Sequence, residues 1–274
     1  MPMPAHKPAG SRQAGRLRSQ SLAADSQATH TSAVFVRKVA AMKPSSLACL
    51  AALVFAVAGV ASPASVPADG IRGSPEAVAA AERLLKQAGG AEAWRKPVFE
   101  VRERGYPARG KVAELRITRD LARPARRLES RTPDRTIVEW ISPDGGWTRR
   151  DGEKLPMSTE ELAAELQGLR QEPYAVYHRL ARRDPRLRAE LRDGGALYFF
   201  DGDERLLCWF QLAPNGALLG WGNVYDGAIN QHWYGPAADM GDVPLPRFGV
   251  AANGSFRFEY LGATLTDSPL ATPE

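Results

Sequence analysis

Between Val98 and Thr264 the chain is cut into short apolar segments by pairs that favour tight turns. These are Asp144-Gly145, Asp151-Gly152, Asp201-Gly202, Asn215-Gly216, Asp226-Gly227 and Asn253-Gly254, with Pro133-Asp134 in the same role. Asp-Gly and Asn-Gly accept the positive φ of hairpin turns at little cost. Hairpins make neighbouring segments antiparallel, which excludes a parallel, doubly wound sheet. Ten segments read as strands: Val98–Arg104, Val112–Thr118, Arg126–Arg131, Thr136–Ile141, Gly146–Arg150, Ala196–Phe200, Leu206–Leu212, Leu218–Tyr225, Ile229–Trp233 and Ser255–Thr264. Two alternate cleanly. Ala113, Leu115 and Ile117 oppose Glu114 and Arg116, and Phe256, Phe258 and Tyr260 oppose Ser255, Arg257 and Glu259. Period-two alternation describes a sheet with one wet face.

Helices flank and interrupt this sheet. Residues 74–88 carry Ser74 as a cap, Pro75 in the first turn and Gly89-Gly90 as a stop, with Val78, Ala81, Leu85 and Ala88 on one face. A helical insert is predicted at about 158–192. Ser158 and Glu161 form a capping box, and Leu162, Leu166 and Leu169 share a face. Pro173 starts a second helix bearing Tyr174, Tyr177 and Ala181, and Asp184-Pro185 a short third one with Leu187 and Leu191 four apart. Gly168 and Pro173 mark bends where this insert would hinge as a lid. The expected fold is mainly β (α+β): an open antiparallel half-barrel of about ten strands, wrapped around the N-terminal helix and the helical lid insert. Residues 69–274 then form one domain.

The formal net charge of +5 does not belong to that domain. Residues 1–68 hold seven of the 36 Lys/Arg and one of the 31 Asp/Glu, which leaves 29 bases against 30 acids in residues 69–274. A balanced body has no field to collect DNA or RNA, so a nucleic-acid partner is not expected. The Arg119–Arg135 stretch, with Arg123, Arg126, Arg127 and Arg131, also lacks the interleaved aromatics of a stacking platform. Residues 42–68 read as a secretory signal and cleavage region. Lys43 precedes the apolar run Leu47–Ala61, and small-residue sites end at Ala61, Ala64 and Ala68. The run is shorter than the roughly 20 residues of a membrane-spanning helix. Cys49 begins that run rather than ending it, unlike a lipidation site. Residues 1–41 read as a disordered extension or a mis-assigned start. Export to the periplasm would leave Cys208 as the one cysteine, buried in Leu206–Phe210 and without a disulfide partner.

The helix ending Leu84-Leu85-Lys86-Gln87-Ala88-Gly89-Gly90, then Trp94, the strand start Gly145-Gly146-Trp147, the capped insert and the hairpin-rich close together resemble one family. Over about residues 74–265 the chain resembles the periplasmic lipoprotein-carrier (LolA/LolB-like) superfamily. The resemblance implies an open half-barrel whose helices cover an apolar cavity for acyl chains, and no catalytic signature. It also admits an enzyme, since a violacein-pathway enzyme is built on a similar sheet without metal or cofactor.

Chemistry-bearing motifs are few. His178 and His232 have no metal-ligand spacing, and no Gly-x-Ser-x-Gly, P-loop or Gly-x-Gly-x-x-Gly occurs. Asp201, Asp203 and Glu204 read as a solvated turn. No catalytic residue, metal or cofactor is therefore assigned. The candidates are cavity-lining residues: Phe99, Leu115, Ile117, Trp140, Trp147, Leu162, Leu166, Tyr174, Tyr177, Phe199, Phe210, Trp221, Trp233, Phe256, Phe258 and Tyr260. Arg182, Arg183 and Arg186 are a candidate rim for headgroups or a partner, within a cluster reaching Arg188 and Arg192. The reading is a monomeric, non-enzymatic periplasmic carrier or binding protein for an acyl chain, lipid or lipidated peptide, with an envelope protein as possible partner. The alternatives are an enzyme on the same half-barrel, or an envelope interaction or sensor module.

Overall fold

The computed structural model describes residues 70–202 and 204–273. The expected leader at 42–68 and the extension at 1–41 lie outside the described residues, as does Asp203. Helix α1 (Pro75–Gln87) begins where Ser74 Oγ accepts from the Ala77 amide at 3.3 Å. Its buried stripe is Ala77, Ala80, Ala81, Leu84, Leu85 and Ala88, while Val78 is half-buried. Burying Leu84 alone contributes about 1.5–3 kcal/mol. A short helix that the sequence did not signal, α2 (Gly90–Trp94), follows, and its Trp94 Nε1 donates to the Ala88 carbonyl at 2.6 Å.

Six strands come next: β1 (Val98–Pro107), β2 (Ala113–Asp120), β3 (Ala125–Arg131), β4 (Thr136–Ser142), β5 (Gly145–Arg150) and β6 (Glu153–Pro156). Helices α3 (Thr159–Gln171) and α4 (Pro173–Ala181) interrupt them. Nine further strands complete the chain: β7 (Arg188–Arg192), β8 (Ala196–Phe200), β9 (Leu206–Leu212), β10 (Leu218–Tyr225), β11 (Ala228–Tyr234), β12 (Ala237–Asp239), β13 (Pro244–Pro246), β14 (Phe248–Ala251) and β15 (Phe256–Thr266). Thirteen form one antiparallel sheet in the order β6-β5-β4-β3-β2-β1-β15-β14-β11-β10-β9-β8-β7, and β12 and β13 make a separate ribbon. The fold class stands as an open antiparallel half-barrel, with thirteen strands in the sheet rather than about ten. Strongly twisted sheets beyond about ten strands must curl, and bulges in the β1–β15, β9–β10 and β8–β9 pairs assist the bend.

β6 and β7 are the two edges, and the helical insert is the chain that joins them. It therefore crosses the concave face from one edge to the other. Helix α3 touches β3 and β4 on one wing and β9 and β10 on the other. Its capping box is present: the Glu161 amide donates to Ser158 Oγ at 3.2 Å, and the Ser158 amide to Glu161 Oε2 at 3.0 Å.

Three expectations about the insert are corrected. It ends at Ala181, because residues 188–192 form edge strand β7 rather than a third helix. Period two prevails at its start, where Leu187 and Ala189 are buried and Arg188 and Arg192 both pair with Glu190 two residues away; Leu191, next in the inward phase, is exposed at the end of this edge strand. Gly168 is no hinge. It lies inside α3, where a Cβ would come 2.9 Å from the Tyr225 ring, so it permits close approach to β10. Helix α4 is fixed cover, since Tyr174, Val176, Tyr177, Leu180 and Ala181 are all buried. The strands at 237–246 were illegible because prolines and short length erase the alternation signal.

Candidate functional site

The concave face is divided into a filled half and an open half. In the filled half, Trp94, Phe99, Tyr177, Phe199 and Phe210 meet ring to ring, with centroids 5.0–5.6 Å apart. Leu115 and Ile117 are buried in the same core. These five expected cavity residues (Phe99, Tyr177, Phe199, Phe210 and Ile117), with Leu115, are core rather than lining.

The open half is a cavity of about 260 Å³ between α3, the start of α4 and strands β1–β3, β10, β11, β14 and β15. Of the candidate residues, Tyr174, Trp221, Phe256, Phe258 and Tyr260 line it, with Tyr234 and His232 beside them. The His232 ring stacks on Trp221 at 5.7 Å, and Phe258 meets Tyr260 edge-on at 5.2 Å. Burial drives the His232 pKa down to about 4, so the ring is neutral at pH 7. Glycines make room for this aromatic wall. A Cβ on Gly249, directly opposite Phe258 in register, would sit 2.3 Å from its ring.

The other wall is charged, and the sequence reading missed it. Glu103, Arg119, Arg126, Glu165 and Glu172 line it, with Glu139 behind. Arg119 Nε donates to Glu172, and its guanidinium lies 4.8 Å over the Tyr174 ring. Arg126 donates to Glu139 and, at 3.2 Å, to Glu165, with Glu172 3.9 Å away. Burial opposes the charge on Arg126, but Glu139, Glu165 and Glu172 outweigh it and raise its pKa. Burial pushes Glu165 up, with Arg126 pulling the other way. Glu103 is only 7% exposed, and no described side chain hydrogen-bonds to it. Desolvation raises its pKa to about 7, opposed by Arg119 and reinforced by Glu172. A signal did exist. Glu103 follows Phe99 and Val101, Arg119 follows Leu115 and Ile117, and Glu139 lies between Ile137 and Ile141. Each occupies the inward phase of its strand.

Other expected residues lie elsewhere. Trp140 and Trp147 face each other across β4 and β5, on the face opposite Glu139, and Arg149 and Lys154 cover the Trp147 ring. Trp233, 45% exposed, alternates with the inward His232 and Tyr234 and points outward. Leu162 and Leu166 on α3 are half-buried and do not reach the cavity wall, which takes Glu165, Gly168 and Leu169 from that helix. Arg182 and Arg186 are exposed and line a separate outer groove of about 630 Å³, on the far side of the Arg119–Glu172 pair. Arg183 is exposed at a positive φ and lies outside that groove. Cys208 is fully buried, and desolvation raises its pKa. Among the described residues no cluster of His, Cys, Asp and Glu could hold a metal ion.

No protein-family profile matches the chain, and no curated protein matches it. Among solved structures, the chain is similar to the LolA superfamily protein NE2245 from Nitrosomonas europaea. The alignment covers 69% of this chain and 94% of that one, at 13% identity and a TM-score of 0.32.

Proposed function

We propose that the chain is a periplasmic binding or carrier protein for an amphiphilic ligand, held in the concave cavity. One observation carries this reading: the cavity is two-sided. Trp221, Phe256, Phe258 and Tyr260 offer an apolar wall, and Glu103, Arg119, Arg126 and Glu165, all buried, with the half-buried Glu172, offer a polar one. A purely structural core has no use for ionisable groups left facing open space, because their desolvation costs stability. Binding sites combine apolar walls with a few placed polar groups. At about 260 Å³ the cavity suits a single short chain or ring system, smaller than a multiply acylated lipid.

The test is native mass spectrometry with organic extraction of the protein purified from its host's periplasm, followed by titration of the delipidated protein with N-phenyl-1-naphthylamine, a neutral fluorescent probe. Saturable one-to-one binding, displaced by the extracted molecule, is the expected result. No co-purified molecule and no probe binding would end the carrier reading. N-terminal sequencing of the same material tests export, with cleavage expected after Ala61, Ala64 or Ala68.

A second reading, an enzyme without metal or cofactor, is favoured by Glu103 alone. A carboxyl with a pKa of about 7 in a cavity is suited to proton transfer near neutral pH. Conversion of the extracted molecule by wild type, lost in Glu103→Gln while binding persists, would establish it.

A further inference from the structure

Resting on the binding reading above, we propose that the polar wall of the cavity takes a cationic amine, so that the ligand is an organic ammonium with a short apolar part. The first ground is the balance of charge. Three buried carboxyl groups (Glu103, Glu139 and Glu165) and the half-buried Glu172 face two buried guanidinium groups. Both guanidiniums are already ion-paired, Arg119 with Glu172 and Arg126 with Glu139 and Glu165, although each keeps one buried N–H without a partner. The excess is two carboxyls, and Glu103 is the one without any hydrogen-bonded partner among the described residues.

The second ground is a second unpartnered acceptor. Asn223, 3% exposed, lines the same cavity, and its Oδ1 receives no hydrogen bond. A buried acceptor left bare costs about 1–3 kcal/mol. An ammonium brings up to three donors and one positive charge. The third ground is the opposite wall: Trp221, Tyr234, Phe258 and Tyr260 line it, and aromatic rings attract a cation by their quadrupoles.

An anionic ligand is the rival. Arg119 Nη1 and Arg126 Nε are buried donors without partners, and a carboxylate would be drawn to them. It would, however, raise the carboxyl excess from two to three in a site that already lacks cations. That imbalance decides in favour of the amine.

Glu103 also supplies a pH dependence. The groups around it are Arg119 on β2, Glu172 and Tyr174 at the α3–α4 junction, His232 and Tyr234 on β11 and Tyr260 on β15, with Arg126, Glu139, Glu165 and Tyr225 further along the wall. The three nearest tyrosines have raised pKa values, and His232 is neutral, so none of them gains charge between pH 5.5 and 8. Burial keeps the Glu103 proton to about pH 7. An amine should therefore bind more tightly as pH rises through that value.

The experiment is isothermal titration of the full, delipidated protein with octylamine, octanol and octanoate at about pH 8 and about pH 5.5. At the higher pH octylamine should bind about tenfold tighter than octanol, with octanoate weakest. The preference should shrink at the lower pH. Glu103→Gln should lower octylamine affinity about tenfold and change octanol less than about twofold. Asn223→Leu offers the same readout should Glu103→Gln not fold. Equal binding of all three compounds, or octanoate binding tightest, overturns the amine while leaving the amphiphile reading intact. Failure of all three to bind at about 1 mM removes both.

Discussion

The Tyr174 hydroxyl, at the start of α4, lies 2.6 Å from the Tyr260 hydroxyl on β15, and both are buried at the foot of the cavity. This contact ties the covering helix to the strand that joins the two wings of the sheet. Replacing either tyrosine by Phe leaves the other hydroxyl bare, at a cost of about 1–3 kcal/mol. A double-mutant cycle by urea denaturation should find Tyr174→Phe/Tyr260→Phe less destabilised than the sum of the two single variants. Simple additivity would mean the hydroxyls do not interact.

Arg126→Met should be the most damaging single change at the site. It strands Glu139 and Glu165 in the interior, and breaking a buried ion pair in this way costs about 3–5 kcal/mol. The deficit should shrink on acidification, because the abandoned carboxylates can then take up protons. Urea unfolding at neutral and acidic pH measures both effects.

Glu103 should make the ligand-free protein less stable as pH rises. Its folded pKa of about 7 lies above the ordinary 4.5, so between these values the folded chain holds a proton that the unfolded chain has released. Stability therefore falls through that window and levels off above about pH 7. Glu103→Gln should flatten this dependence and recover up to about 3 kcal/mol at alkaline pH. A wild-type stability that does not change across the window would refute the assignment.

Gly249→Ala should close the cavity without removing any polar group. The new methyl meets the Phe258 ring at 2.3 Å and must displace it toward the open half. Overpacking of this kind costs about 1–3 kcal/mol. Probe affinity should fall well before the fold is lost, as titration alongside thermal unfolding would reveal.

Cys208 should resist thiol reagents in the native state. Its side chain is fully buried, and desolvation raises its pKa, so thiolate is scarce and access is blocked. Labelling with a bulky maleimide should begin only once denaturant unfolds the chain.

The amino-acid sequence by itself determined the antiparallel sheet, the caps at Ser74 and Ser158, and the apolar face that runs through Leu115, Ile117, Phe256 and Phe258. Turn chemistry, capping and period-two alternation are local, and local rules read them. Only the tertiary structure decided which aromatics line open space and which fill the core. Phe99 and Phe258 have the same inward phase, but α2 and α4 happen to cover the first and leave the second facing the cavity. Cover depends on where the insert crosses between the sheet's two edges, and no spacing within the insert encodes that. The inward phase of Glu103 and Arg119 was legible, but the ion pairs made by Arg119 and Arg126 were not. Arg119 meets Glu172 across 53 residues and Arg126 meets Glu165 across 39, distances in sequence that only the curl of the sheet brings to hydrogen-bonding range.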